Sequence, residues 1–352
     1  MLHTLCIIRS NQKMIFTSCC YPLLSQPMNV YIPVDNGLTR AQWRSAQNRV
    51  QFGLCCINTT LREQGIYCNH TCFRYNFTVE HALKLAKMNV EALDPILRYN
   101  AANGIGSYRL SSDMFPHFTD DETEKYQPTG EIKEILQRTG KLAKDLGQRL
   151  TMHPGQYNVV GTPNTKTFEK TCDDLAHHAW ILDTMDADEN GVICVHIGGC
   201  YGDMEATVRR WIEQFDDLPT PVKRRLAVEN TERNGSVREC LEIAQACKIP
   251  LIYDSHHYYC YCHLHQNKQR VEHIEDQMDE IIESWCGKRP LFHTSDQDTS
   301  KHIGAHSQYV EELCKYQLQC CHKYDTDITI EVEGKAKEKA IQKLKEKYSL
   351  LF

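Results

Sequence analysis

From Val50 onward the chain alternates short apolar runs with longer stretches in which apolar residues recur every three or four positions. Apolar runs bounded by turn residues predict strands, and the longer periodic stretches predict amphipathic helices. Strands are predicted over residues 50–56, 107–110, 149–153, 192–197, 226–229, 250–254, 290–294 and 328–331. Helices are predicted between and after them, over 80–103, 130–147, 165–185, 203–215, 236–247, 269–286, 306–323 and 335–348. The first places Leu83, Leu85, Ala86, Val90, Leu93, Ile96 and Leu97 on one face before Gly104 stops it. Regular strand–helix alternation belongs to the α/β class with a parallel sheet. Eight such units predict a closed (β/α)8 TIM barrel rather than an open sheet.

The first 49 residues show no comparable period. They are expected to form an N-terminal extension, partly disordered, ahead of a barrel domain spanning 50–352. Composition adds little to this picture: 41% hydrophobic and 24% charged residues suit an ordinary globular protein. The 18 cysteines include no CxxC pair, and adjacent pairs such as Cys55-Cys56 and Cys320-Cys321 suit neither a zinc ribbon nor a disulfide framework. Free thiols in a reducing compartment are expected: cytosol, nucleus or virus factory. No apolar run approaches the ~20 residues of a membrane span. Leu2 to Ile8 is interrupted by Arg9 and lacks a small-residue cleavage site, so no signal peptide is expected. The net charge of −6 excludes a generally basic coat. DNA binding would then need a local groove or bound cations to offset the phosphates.

The candidate chemistry lies at the strand ends. His153, His196, Glu229, Asp254, His293 and Glu331 each stand at the end of an apolar run, with Glu333 a close competitor of Glu331. In a barrel of this type those ends share the C-terminal face, where active sites are built. A lone histidine there is more often structural, and a lone carboxylate more often salt-bridged, but six metal-ligand residue types on one face outweigh both readings. Tyr-Asp-Ser-His-His adds His256 and His257 beside Asp254, and His306 follows in the next loop. Mixed imidazole and carboxylate donors suit Zn²⁺, Mn²⁺ or Fe²⁺ catalysis, and more than four of them imply more than one ion. Two such ions would clamp both the attacking and the leaving oxygen of a phosphodiester displacement.

Taken in order, Asn58 in Cys-Ile-Asn-Thr-Thr, Ser111 and Ser112 in Tyr-Arg-Leu-Ser-Ser, Met-His-Pro-Gly-Gln-Tyr, Val-His-Ile-Gly-Gly, Val-Glu-Asn and Asp-Ser-His-His resemble the ultraviolet damage endonuclease family. The resemblance runs from about Val50 to the C-terminus. It implies a TIM barrel related to endonuclease IV, holding two or three divalent ions, with manganese favoured and zinc or magnesium as alternatives. It implies that His153, His196 and Glu229 bind one ion, that Glu229, Asp254, His293 and Glu331 bind a second, and that His257 and His306 hold a third. Glu229, Asp254, His257, His293 and Glu331 would be the catalytic set. Gln156 and Tyr157 would insert opposite a flipped-out lesion, with Asn58 a second lesion-probing position. Three positions depart from the family: Leu291 stands where a lysine, sometimes carboxylated, is common, Leu54 replaces a tyrosine, and Glu333 replaces a lysine.

The expected activity is hydrolysis of the phosphodiester 5′ to cyclobutane dimers and 6-4 photoproducts in damaged double-stranded DNA, by a monomer. An abasic-site endonuclease of the same barrel type is the nearest alternative. A metal-dependent sugar isomerase and a non-cutting lesion binder stand further off.

Overall fold

The computed structural model describes residues 38–265 and 273–352. Eight strands form its centre: β1 Val50–Cys55, β2 Ser107–Leu110, β3 Arg149–Met152, β4 Ile193–His196, β5 Leu226–Glu229, β6 Leu251–Asp254, β7 Leu291–Thr294 and β8 Ile328–Val332. Each lies parallel to the next, and β8 pairs with β1 to close the barrel. All eight fall within one or two residues of the runs that predict them.

Side chains alternate across a strand, so residues two apart share a face. That rule makes inward pairs of Thr151 and His153, Cys194 and His196, Ala227 and Glu229, Ile252 and Asp254, Leu291 and His293, and Thr329 and Glu331. The deeper positions include an apolar floor in which Cys194, Ala227, Ile252 and Leu291 cluster with Val192 and Trp285. The upper members are the polar strand ends. Outward residues, among them Phe52, Leu54, Tyr108, Leu110, Val195, Tyr253, Phe292 and Ile330, pack beneath the helices in the main core. Gly53 sits where a Cβ would come within 2.6 Å of Glu331 Cγ, so a bare backbone on β1 makes room for the Glu331 side chain.

The helical ring departs from its periodicity in three places. The stretch 80–103 is two helices, Val79–Glu91 and Leu93–Ala102, meeting at Ala92. Pro95 explains the break, because it has no N–H to give the Glu91 carbonyl and its ring crowds that carbonyl. In the stretch 306–323 only Lys315–Lys323 is helical. Ser307 donates its N–H to Asp296 O, and the carbonyls of Ser307 and Gln308 accept from Lys335 and Ala336. These tertiary partners displace the helix and lay the segment across the barrel mouth. Conversely, Asp254-Ser-His-His is no loop: Asp254 caps a helix over Ser255–Leu264 by accepting from His257 N. Part of the helix expected from residue 269 lies outside the described residues, and Ile274–Ser284 is its described portion.

Within the stretch before the barrel, Arg40–Ala46 is helical behind a capping box of Thr39 and Gln42. Ala46 is fully buried, Trp43 stacks on Tyr348 at 6.0 Å, and Asn48 N–H donates to Leu351 O. Residues 1–37 lie outside the described part. All cysteines among the described residues are free thiols. No described helix is long and apolar enough to cross a membrane.

Candidate metal centre

Glu229 ends β5 at the centre of the barrel mouth and is fully buried. Four imidazoles from four different elements surround its carboxylate. His153 Nε2 and His196 Nε2 lie 2.9 and 3.3 Å from Oε2, while His293 Nδ1 and His257 Nδ1 lie 2.9 and 3.3 Å from Oε1. The barrel register sets this geometry, pairing His196 with Glu229, Asp254 with His293, and His293 with Glu331. Burial opposes the ionised Glu229, but the imidazoles of His293, His196 and His153 around it hold its carboxyl well below the usual range.

Backbone carbonyls tie down one nitrogen of several of these rings. His153 Nδ1 lies 3.1 Å from Pro154 O, His257 Nδ1 2.9 Å from Asn230 O, and His306 Nδ1 3.0 Å from Glu333 O. A carbonyl can only accept, so each Nδ1 carries a proton and each Nε2 is left to act as ligand, the orientation seen in metal-binding histidines. For His153 this aims an Nε2 lone pair at Glu229 Oε2, and burial lowers the tendency of that imidazole to take a second proton. A cation is the natural mediator of such a contact. Burial also opposes charge on His257, although Asp254 and Glu229 carry its imidazole well above the usual range.

Asp254 and Asn230 exchange hydrogen bonds, Asp254 N to Asn230 Oδ1 at 2.9 Å and Asn230 Nδ2 to Asp254 O at 3.0 Å. They fix the mouth of β5 against β6. Asp254 Oδ1 accepts from His257 N at 2.6 Å, whereas Oδ2 is buried with no hydrogen-bond partner. The His257 ring, 3.9 Å away, is its charge partner, and a carboxylate oxygen buried without a hydrogen bond leaves a coordination position open to a cation.

Glu331 and Glu333 share the buried Arg109 of β2, which reaches Glu331 Oε2 through Nε at 2.6 Å and Glu333 Oε1 through Nη1 at 2.5 Å. Burial would raise the Glu331 carboxyl, but Arg109 and His293 lower it to about 2. Against the cost of burial, Glu229 would carry the His293 imidazole up to about 10. A protonated ring would nevertheless set Nε2–H against the Arg109 Nη2 donor at 2.8 Å. We therefore assign a neutral ring that accepts from Arg109 through Nε2, so that Nδ1, which faces Glu229, is the nitrogen a cation would take in place of its proton. His306 stands apart from the four imidazoles: its Nδ1 lies 3.5 Å from Glu333 Oε2, and its ring centroid is 6.3 Å from that of His257.

The residues expected to meet DNA lie elsewhere. Gln156 and Tyr157 are exposed at the tip of the turn after His153, with Tyr157 70% exposed. A Cβ at Gly155 would lie 2.4 Å from the Tyr157 ring, so the glycine admits this close turn. Asn158 anchors the turn by donating to Asp174 Oδ2 at 2.8 Å, and Ser112 Oγ holds His153 O at 3.0 Å. Asn58 is buried and caps Thr59–Arg62, accepting from Leu61 N, while its Nδ2 has no partner. Two further site residues, Arg109 and Cys194, are not among the sequence candidates, although Arg109 stands inside Tyr-Arg-Leu-Ser-Ser. Both are two residues from a strand-end candidate or motif serine on the same face, so period-two counting alone could have found them.

A family model described as UV-endonuclease UvdE matches residues 50–351, which is the whole barrel. This chain belongs to the UV-endonuclease UvdE family. The UV DNA damage endonuclease of Clostridium perfringens (strain 13 / Type A) is 30% identical over 84% of this chain and 71% of its own length. That of Bacillus cereus (strain B4264) is 29% identical over 75% and 82%. The crystal structure of SacUVDE superposes with a TM-score of 0.72 at 26% identity, covering 86% of this chain and all of that one. Endonuclease IV from Thermus thermophilus, at 12% identity and a TM-score of 0.51 over 86% of this chain and 98% of its own, shares the fold.

The departures from the UvdE pattern have distinct surroundings. Leu291 lies in the apolar floor below His293, and Leu54 is fully buried in the main core. Glu333 joins Arg109 and His306 at the mouth. Divalent ions fit the donors present here. Backbone-tied imidazoles, a carboxylate at their centre and the Asp254 oxygen that lacks a hydrogen bond make a set whose unmet need is positive charge.

Proposed function

We propose that this chain is a DNA repair endonuclease that hydrolyses the phosphodiester immediately 5′ to cyclobutane pyrimidine dimers and 6-4 photoproducts in damaged double-stranded DNA. The observation that carries the reading is the convergence of His153, His196, His257 and His293 on Glu229, beside an Asp254 oxygen that lacks a hydrogen bond and one turn away from the exposed Gln156–Tyr157 tip. His153, His196, Glu229, Asp254, His257, His293, His306 and Glu331 are the proposed ligands of two or three divalent ions, with manganese favoured. Those ions would supply positive charge to the attacking and leaving oxygens of the displacement.

The protein's own residues do the rest. Glu229 and Asp254 bring negative charge to a buried mouth and hold the cations there, while backbone carbonyls fix the orientation of the imidazole rings. Gln156 and Tyr157 fill the stack left by an extruded lesion. Extruding a cross-linked pyrimidine pair costs less than extruding an intact one, because pairing and stacking are already weakened. The protein is expected to act as a monomer.

Purified protein is incubated with ultraviolet-irradiated and intact plasmid, with Mn²⁺ and with a chelator. Nicking of irradiated plasmid alone, abolished by chelation and by Glu229→Gln, is the expected result. Equal nicking of both plasmids, or undiminished nicking under chelation, sinks the reading. A duplex carrying an abasic analogue beside one carrying a dimer separates the abasic-site alternative.

A further inference from the structure

Mixed histidine and carboxylate ligation without sulfur is the reading of the strand ends, yet the barrel puts a cysteine among them. Cys194 lies on β4 on the same inward face as His196, one layer deeper, and is 1% exposed. Its thiol donates to Glu229 Oε2 at 2.9 Å, the oxygen that also faces His153 and His196. Ligand atoms from His153, Cys194, Glu229 and His293 all lie within 4.8 Å of one another, the separation that donors around a single ion adopt. Among the described residues, Cys194 is the one thiol that falls in such a group.

The neutral explanation is that Cys194 acts as a small buried filler whose S–H satisfies one lone pair of Glu229. Its floor neighbours Ala227, Ile252 and Leu291 are consistent with that. They would equally accept valine or alanine, however, and neither would place a polar sulfur against the central carboxylate. Cys194 is the one residue of this cluster that shares a donor group with the strand-end ligands.

Building on the metal reading above, we propose that Cys194 is a further metal ligand that binds one of the ions through its thiolate and moves the preference of that one position from hard ions toward zinc, cobalt(II) or iron(II), the other positions keeping manganese. Sulfur is a soft donor, and thiolate ligands select such ions over magnesium and manganese. On binding, the sulfur–hydrogen bond is exchanged for a sulfur–metal bond and the proton leaves to solvent, so the ligand set gains one negative charge while the ion keeps its oxidation state.

Cobalt(II) titrated into the metal-free, full-length protein reads the sulfur directly. The expected spectrum has visible ligand-field bands together with a near-ultraviolet sulfur-to-cobalt charge-transfer band that saturates with the first equivalent. In Cys194→Ser and Cys194→Ala the charge-transfer band is lost while the visible bands persist. Zinc affinity, measured by competition, falls by about tenfold or more while manganese affinity changes less. Visible bands without the charge-transfer band in the unsubstituted protein overturn the proposal and leave the metal reading intact. A charge-transfer band that survives both substitutions assigns the sulfur to another cysteine and also overturns it. No cobalt bands of either kind would overturn the metal reading together with this one.

Discussion

The four imidazoles around the Glu229 carboxylate are backed by a further layer of buried charge. Arg109 is the clearest case, with its guanidinium divided between Glu331, Glu333 and His293 and almost no exposure to water. Removing one partner of a buried ion pair leaves the other charge uncompensated, typically at a cost of ~3–5 kcal/mol. Arg109→Met keeps much of the stem and removes the charge, and should destabilise the metal-free protein by about that amount in urea unfolding. Added divalent cation should recover part of the loss by giving Glu331 and Glu333 a new counter-charge. A change below about 1 kcal/mol would show that the carboxylates find protons or water instead. Arg109 stands inside the recognised Tyr-Arg-Leu-Ser-Ser motif, two positions before Ser111 on the same face, but a buried arginine carries no signature of its own until its partners arrive from β7 and β8.

The turn between β3 and the helix Thr165–Thr184 shows how an element is held rigid at its tip. Asp174, on the first half of that helix, accepts from Asn158 Nδ2 and from Thr119 Oγ1, both at 2.8 Å. Thr171 Oγ1 takes Val159 N, so the turn that presents Gln156 and Tyr157 is bolted to the helix behind it. Asp174→Ala strands a buried amide and a hydroxyl, each worth about 1–3 kcal/mol when unsatisfied. Unfolding should shift accordingly, and discrimination between irradiated and intact plasmid should narrow while cobalt(II) binding stays unchanged. Unaltered discrimination would show that the Asp174 anchor is dispensable for the tip. This anchor was not legible in the motif, because Asp174 reads from the sequence as one more polar position on an amphipathic helix.

Across the whole molecule, acid stability should depend on a histidine far from the centre. His177 is buried against Phe118, with ring centroids 3.8 Å apart, and near Trp180, with both ring nitrogens lacking hydrogen-bond partners. Burial, with a smaller contribution from His178, holds its imidazole well below the ordinary 6.5. Below pH ~6.5 the unfolded chain takes a proton at this position that the folded chain refuses, so stability is present above that pH and is lost as pH falls. Asp296 has the opposite sign: burial raises its carboxyl from 3.8 to about 6, so the folded state takes its proton first and gains stability as pH falls through that window. His177→Phe retains the stacking and removes the titration, and its melting temperature should fall less between pH 7 and 5 than that of the unsubstituted protein. An equal fall in both would place the acid sensitivity elsewhere.

The order of elements and the face that carries the chemistry were set by local physics. Short apolar runs ending in His153, His196, Glu229, Asp254, His293 and Glu331 require strands whose polar ends share one rim, because a parallel barrel aligns every C-terminal end. Period-two alternation then determines which neighbours point inward, with no knowledge of the fold beyond the strands themselves. Register and closure were not legible. Which nitrogen of each imidazole faces Glu229, the capture of two carboxylates by Arg109, and the upward reach of Cys194 depend on strands brought together across 35 to 222 positions of chain. Helix limits followed the same division. The break before Pro95 has a local cause that the apolar period reads straight through, whereas the loop at 306–314 forms because Asp296, Lys335 and Ala336 offer its backbone partners that only the closed barrel brings near.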